Sequence, residues 1–80
     1  MKLKINIVKT KNNITYYNAE TNKSIGTIYK SNVCSDYKWA TYGAYEPHAK
    51  TLEDAHSELQ KIIHKRATNI GITDVEFVFI

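Results

Sequence analysis

Thr51-Leu-Glu-Asp-Ala-His-Ser-Glu-Leu-Gln-Lys-Ile-Ile-His-Lys-Arg-Ala-Thr-Asn-Ile-Gly71 is the stretch that decides the fold, because it predicts a helix with both ends marked. Thr51 and Asp54 have the spacing of a capping box, in which the threonine hydroxyl accepts from a first-turn N–H. Acidic residues follow the start and basic residues precede the end, as the helix dipole favours. Asn69 and Gly71 are residue types that adopt the left-handed conformation at which helices end.

One side of this predicted helix is apolar. At about 100° per residue, one stripe contains Leu52, Ala55, Leu59, Ile62, Ile63 and Ile70. The charged side chains fall on the other side. A single apolar stripe needs a single packing partner, which in a chain with strands elsewhere is one face of a sheet.

Five other segments have the alternation or the β-branched and aromatic content of strands. They are residues 2–7, 14–18, 24–30, 37–42 and 75–80. Asparagine-rich turns, a polar loop at 32–36 and an irregular lead at 43–50 connect them to one another and to the helix. We therefore expect one α+β domain over residues 1–80, an antiparallel sheet of about five strands ordered β-β-β-β-α-β, with the helix on one face. The last strand should lie inside the sheet or beside the first.

Composition places the chain among small globular proteins. It has 80 residues, of which 42% are hydrophobic and 24% charged. No apolar run approaches the roughly 20 residues that cross a bilayer, and the alternating N-terminus lacks the apolar block of a signal peptide. A single cysteine, Cys34, suits a reducing compartment. We expect a cytoplasmic protein without a membrane partner, located in the host cell if the gene is viral.

Charge is unevenly distributed along the chain. Residues 1–50 hold eight lysines against three acidic residues, whereas residues 51–80 hold three basic residues against five acidic ones. The strand-rich part is therefore basic, which favours association with acidic partners.

The residues that could carry chemistry do not form a recognisable catalytic or metal-binding set. His56 and His64 are eight residues apart, about 12 Å along a helix, so they cannot share an ion, and His48 has no third ligand at a typical spacing. Cys34 lies near Asp36, whose carboxylate would raise rather than lower the thiol pKa. We expect no enzymatic activity, no metal and no cofactor. His56 borders the apolar stripe, where partial burial would make it sensitive to pH.

Strand parity predicts which side chains the helix leaves uncovered. If Leu3, Ile5 and Ile7 face the helix, the opposite face carries a lysine-fringed apolar patch made of Val8, Tyr17, Ile28, Tyr42, Val78 and Ile80. Monomers seldom leave such a patch bare. A bulge or a one-residue shift in register is the alternative, and it would exchange the two faces.

These features favour a non-enzymatic binding protein that works through the uncovered sheet face or a strand edge. The expected contact residues are Lys4, Tyr17, Ile28, Lys30, Lys38 and Tyr42. Small size and a composition typical of AT-rich genomes suggest a phage or mobile-element accessory protein that inhibits an unidentified host protein, of the anti-CRISPR or anti-restriction type. A homodimer through the same patch is one form of this hypothesis.

Nucleic-acid binding is the alternative function. Aromatic residues that can stack on bases are interleaved with lysines that can contact phosphates. They are Tyr17, Tyr29, Tyr37, Trp39 and Tyr42, with Lys4, Lys11, Lys30 and Lys38. The chain lacks the second helix and the strand motif of an RNA-recognition motif. It also has a single arginine, Arg66, whereas nucleic-acid interfaces usually contain several.

Overall fold

The computed structural model describes residues 2–11, 13–30, 36–41 and 48–80. These residues form a six-stranded sheet and one helix: β1 (Lys2–Lys9), β2 (Asn13–Asn18), β3 (Ser24–Lys30), β4 (Tyr37–Thr41), β5 (His48–Ala49), α1 (Leu52–Asn69) and β6 (Asp74–Phe79). The strand order is β5-β4-β3-β2-β1-β6. The predicted α+β class, with one helix against one sheet, is confirmed. Residues 32–35 of the predicted loop at 32–36, most of the lead at 43–50, and Tyr42 lie outside the described residues, as does Cys34 within that loop.

β6 lies beside β1, which is one of the two positions predicted for the last strand. It is parallel to β1, so the sheet is mixed: the predicted antiparallel pairing holds for the other neighbouring strands and fails for this pair. The reason is the crossover helix. α1 carries the chain from β5 at one edge back across the sheet, so that β6 starts beside the start of β1 and runs in the same direction.

Both ends of the helix lie at the residues that predict them. The Thr51 hydroxyl accepts from the Asp54 N–H at 3.1 Å, which caps the first turn. At the other end the Gly71 N–H donates to the Thr68 carbonyl at 3.0 Å, and Gly71 has a φ of 88°. Of the two predicted stop residues, Gly71 is therefore the one in the left-handed region, where a Cβ would cost roughly 1–2 kcal/mol.

The core lies between α1 and the covered face of the sheet. Its buried members are Ile5, Ile7, Tyr16, Ile28, Trp39, Ala55, Leu59 and Ile63. Most of the predicted helix stripe contributes to this core, with Leu52 and Ile62 at its margin. Ile70 is the exception, because it follows the last helical turn and is 75% exposed.

A bulge in β3 decides which side chains of that strand are buried. β2 pairs Tyr16 with Gly26 but Tyr17 with Ser24, so Ile25 is an extra residue in β3. Beyond the extra residue the alternation is reversed, and Ile28 points into the core at 1% exposure. The prediction that placed Ile28 on the uncovered face is therefore wrong, because it assumed an unbroken period of two along β3.

Candidate functional site

The face of the sheet opposite α1, called here the open face, is mainly polar in the described residues. The strand registers place on it Lys2, Lys4, Asn6, Val8, Asn13, Thr15, Tyr17, Thr27, Tyr29, Lys38, Asp74, Glu76 and Val78, among others. At its centre Asn6 pairs with Tyr17, and Thr15 pairs with Thr27. The predicted apolar patch is not continuous, because Ile28 lies in the core.

The six predicted contact residues do not share one surface. Lys4, Tyr17 and Lys38 lie on the open face, in β1, β2 and β4. Ile28 is buried, and Tyr42 lies outside the described residues. Lys30 pairs with Tyr37 at the rim of the covered face, where its Nζ lies 6.0 Å from the Tyr37 ring centroid.

The outer edge of β6 offers backbone groups for pairing. The Ile80 N–H donates to the Ile7 carbonyl at 2.9 Å, so every second residue from Ile80 backwards turns its backbone toward β1. The intervening residues Val75, Phe77 and Phe79 turn their N–H and C=O groups outward. Within the described ranges no strand pairs with this edge. β6 also lacks the lysine and proline residues that commonly protect edge strands.

Exposed apolar side chains accompany these backbone groups. Phe79 is 66% exposed and Ile80 is 75% exposed. We use the term docking edge for the outward-facing residues Val75, Phe77 and Phe79 of β6 together with Ile80, which follows the strand. Unpaired backbone groups and large exposed apolar side chains occur together here, which is the combination that a partner strand can cover.

Helix α1 holds the two phenylalanines of the docking edge from one side. The His56 and Phe79 ring centroids are 5.6 Å apart, and those of His64 and Phe77 are 5.4 Å apart, both edge-on. Tyr16 supports Phe77 from below at 5.9 Å. Edge-to-face ring pairs of this kind contribute about 0.5–1.5 kcal/mol each and fix ring orientation. Contacts within the chain therefore fix the orientation of the two phenylalanine rings on the covered face.

His56 is joined to the sheet through the hydroxyl of Tyr16. Gln60 Nε2 donates to Tyr16 Oη at 3.2 Å, so the hydroxyl proton is available for His56 Nδ1 at 2.5 Å. This arrangement requires neutral His56 with its proton on Nε2. Burial lowers the pKa of His56, and burial raises the pKa of Tyr16, partly offset by the hydrogen bond from Gln60. Both groups are therefore neutral at pH 7.

Stability should fall as the pH drops through the range in which His56 titrates. Because the folded pKa lies below the ordinary value of 6.5, the unfolded chain takes up the proton first and the free energy of unfolding decreases. The stabilisation is complete above pH 6.5 and is lost on acidification, with a slope of at most about 1.4 kcal/mol per pH unit for one proton. Urea unfolding between pH 7.5 and 5.5 measures this slope.

Two histidine variants provide the controls for that measurement. His56→Gln should flatten the dependence, whereas replacement of the exposed His64 by glutamine should retain it. A slope that survives in His56→Gln would assign the titration to another group.

His48 and two clefts lie away from the docking edge. His48 Nδ1 is 3.1 Å from Asp36 Oδ2 at the opposite edge of the sheet. The described part of the chain contains no group of three His, Cys, Asp or Glu side chains able to hold a metal ion. A cleft of 330 Å³ beside the helix end has mainly apolar walls, and a cleft of 190 Å³ near Tyr37 is lined by Lys9, Lys11 and Lys30 among others.

Comparisons with protein-family models, with curated proteins and with solved structures found no match. Among the described residues no helix has the length and apolar character needed to span a membrane. A strand edge is one of the two docking surfaces that the sequence predicts, but the sequence patterns alone do not single out β6. The signal that selects it is the run from Asp74 to Ile80, whose last residues are apolar and lie beyond the helix.

Proposed function

We propose that this chain is a non-enzymatic binding protein that takes up an extended segment of a partner protein along the docking edge. The observation that supports the proposal is the row of outward-facing backbone groups at Val75, Phe77 and Phe79 beside the exposed Phe79 and Ile80 side chains. In such β-augmentation, main-chain hydrogen bonds supply affinity and alternate side chains supply specificity.

The docking edge alone is small for a stable interface. A standard complex buries about 800 Å² on each partner, which is more than a six-residue strand presents. The surfaces on either side of β6 would have to contribute: the α1 row with His56 and His64 on the covered side, and Lys4 on the open face. Of the expected contact residues, Lys4 is the one whose strand pairs directly with β6.

Replacing Phe79 by proline should abolish partner capture, and replacing it by alanine should only weaken it. Phe79 turns its N–H outward, so proline removes a donor from the docking edge without removing a bond to β1. Alanine removes the same ring but keeps the N–H. The measurement is affinity capture from nuclease-treated host lysate with the wild type and the two variants, after circular dichroism has shown equal folding.

Two results would count against edge docking. Equal loss in Phe79→Pro and Phe79→Ala would show that the ring, not the backbone, is recognised. Undiminished capture by Phe79→Pro would place the binding surface elsewhere. The identity of a partner recovered in this experiment also tests the narrower hypothesis of a mobile-element inhibitor that acts in the host cytoplasm. That hypothesis rests only on the size and the amino-acid composition of the chain.

Nucleic-acid binding is the second candidate, and the basic cleft at the β1–β2 turn favours it. Lys9, Lys11 and Lys30 line this cleft together with Tyr29 and Tyr37. Three lysines around one concavity can contact successive phosphates while a tyrosine ring stacks on a base. A mobility shift with mixed DNA and RNA that weakens steeply with salt, and that is lost on replacing the three lysines by glutamine, would favour this function over edge docking.

A further inference from the structure

We infer that the partner segment taken up by the docking edge alternates basic and apolar residues. This inference rests on the docking function proposed above and specifies the chemistry of its partner. It follows from the strand that already occupies the other edge of β6. β1 has the sequence Lys2-Leu-Lys-Ile-Asn-Ile-Val8, and its pairing shows which residue types the side chains of β6 accept as neighbours.

On the open face, the acidic residues of β6 pair with lysines. Asp74 lies opposite Lys2, and Glu76 lies opposite Lys4. Lys2 Nζ is also 3.1 Å from Glu76 Oε1, along the diagonal. The hydrogen bond to Glu76, the charge of Glu76 and the charge of Asp74 together raise the pKa of Lys2. The acidic row of β6 therefore favours cations on a neighbouring strand.

On the covered face, the apolar residues of β6 pair with apolar residues. Leu3 lies opposite Val75, Ile5 opposite Phe77, and Ile7 opposite Phe79. Because the side chains of a strand stand perpendicular to the sheet, they are equally accessible to neighbours at either edge. A strand at the outer edge thus meets the same alternation of acidic and apolar side chains that β1 meets at the inner edge.

The carboxylates can accept a second row of cations. A carboxylate has about four acceptor sites, and the salt bridge with Lys2 uses one oxygen of Glu76. Strands are spaced about 4.8 Å apart, so basic residues on a partner would lie about 10 Å from Lys2 and Lys4, near the screening length in physiological salt. The acidic row lies between the two basic rows, which is a favourable arrangement.

A second copy of the chain matches the docking edge less well. Two β6 strands paired antiparallel would bring no cation to Asp74 or Glu76, since β6 itself contains none. A register centred on Glu76 would oppose that carboxylate with its own copy, which is destabilising. Charge complementarity therefore favours a basic–apolar partner strand over β6 of another copy.

The test uses a peptide that copies β1. An acetylated and amidated peptide with the sequence of residues 2–8 is titrated into ¹⁵N-labelled protein, and a matched peptide has both lysines replaced by glutamate. We expect the lysine peptide to shift the amide signals of Val75, Phe77 and Phe79 and to bind about tenfold more tightly than the glutamate peptide. In the double variant Asp74→Asn and Glu76→Gln, that preference should disappear.

Each outcome of the titration decides the inference. Equal binding of the two peptides would overturn the basic preference and leave edge docking intact. Absence of binding by both would also overturn it, while the Phe79→Pro capture experiment judges the proposed function separately. Shifts of the same amide signals on raising the protein concentration without peptide would identify a second copy as the occupant and overturn the inference.

Discussion

Replacing Ile28 by lysine should unfold the protein. The side chain is 1% exposed and belongs to the cluster formed with Trp39 and Leu59. An unpaired charge at such a position costs several kcal/mol. The whole domain is expected to have only about 4–12 kcal/mol of stability, from roughly 0.05–0.15 kcal/mol per residue. Circular dichroism and urea unfolding of the purified variant measure the loss.

The neighbouring residue provides the matched control for this prediction. Thr27 pairs with Thr15 on the open face, so Thr27→Lys should cost no more than about 1 kcal/mol. The two lysine variants differ by one position in the same strand, and they therefore test the bulge directly. If Ile28→Lys were tolerated and Thr27→Lys unfolded the protein, the alternation in β3 would be unbroken and the strand would contain no bulge.

Replacing Tyr16 by alanine should be the second most damaging change. Tyr16 is fully buried and, among the residues that the structure describes, is the largest completely buried side chain. Its ring packs against Phe77 and His56, and its hydroxyl joins β2 to α1. Loss of a buried aromatic side chain costs about 3–5 kcal/mol, to which the loss of the hydroxyl bonds adds. The measurement is the urea midpoint relative to the wild type.

Tyr16→Phe separates packing from hydrogen bonding at this position. Phenylalanine keeps the ring but leaves His56 Nδ1 and Gln60 without their shared partner, which should cost about 1–3 kcal/mol. It should leave the pH dependence assigned to His56 in place, because burial lowers the pKa of His56 and the phenylalanine ring preserves that burial. If Tyr16→Phe were as destabilising as Tyr16→Ala, the hydroxyl network would be the dominant contribution.

The sequence determined the elements that depend on local chemistry. The Thr51 cap, the single apolar stripe and the Gly71 stop are properties of neighbouring residues, and the helix is found where they predict it. The alternation in residues 2–7 likewise predicted β1 with Ile5 and Ile7 in the core. These features were readable because capping and amphipathic periodicity act within a few residues of the chain.

Only the tertiary structure decided the faces and the edges of the sheet. The bulge at Ile25 arises from pairing between β2 and β3, and it buries Ile28 against the count made along the strand. The parallel position of β6 arises from the path of α1 across the sheet. Register and strand order depend on contacts between residues far apart in the chain, which local patterns do not encode. For this reason the sequence leads to a proposal of binding at some strand edge, whereas the choice of β6 for that proposal depends on the strand order and exposure in the structure.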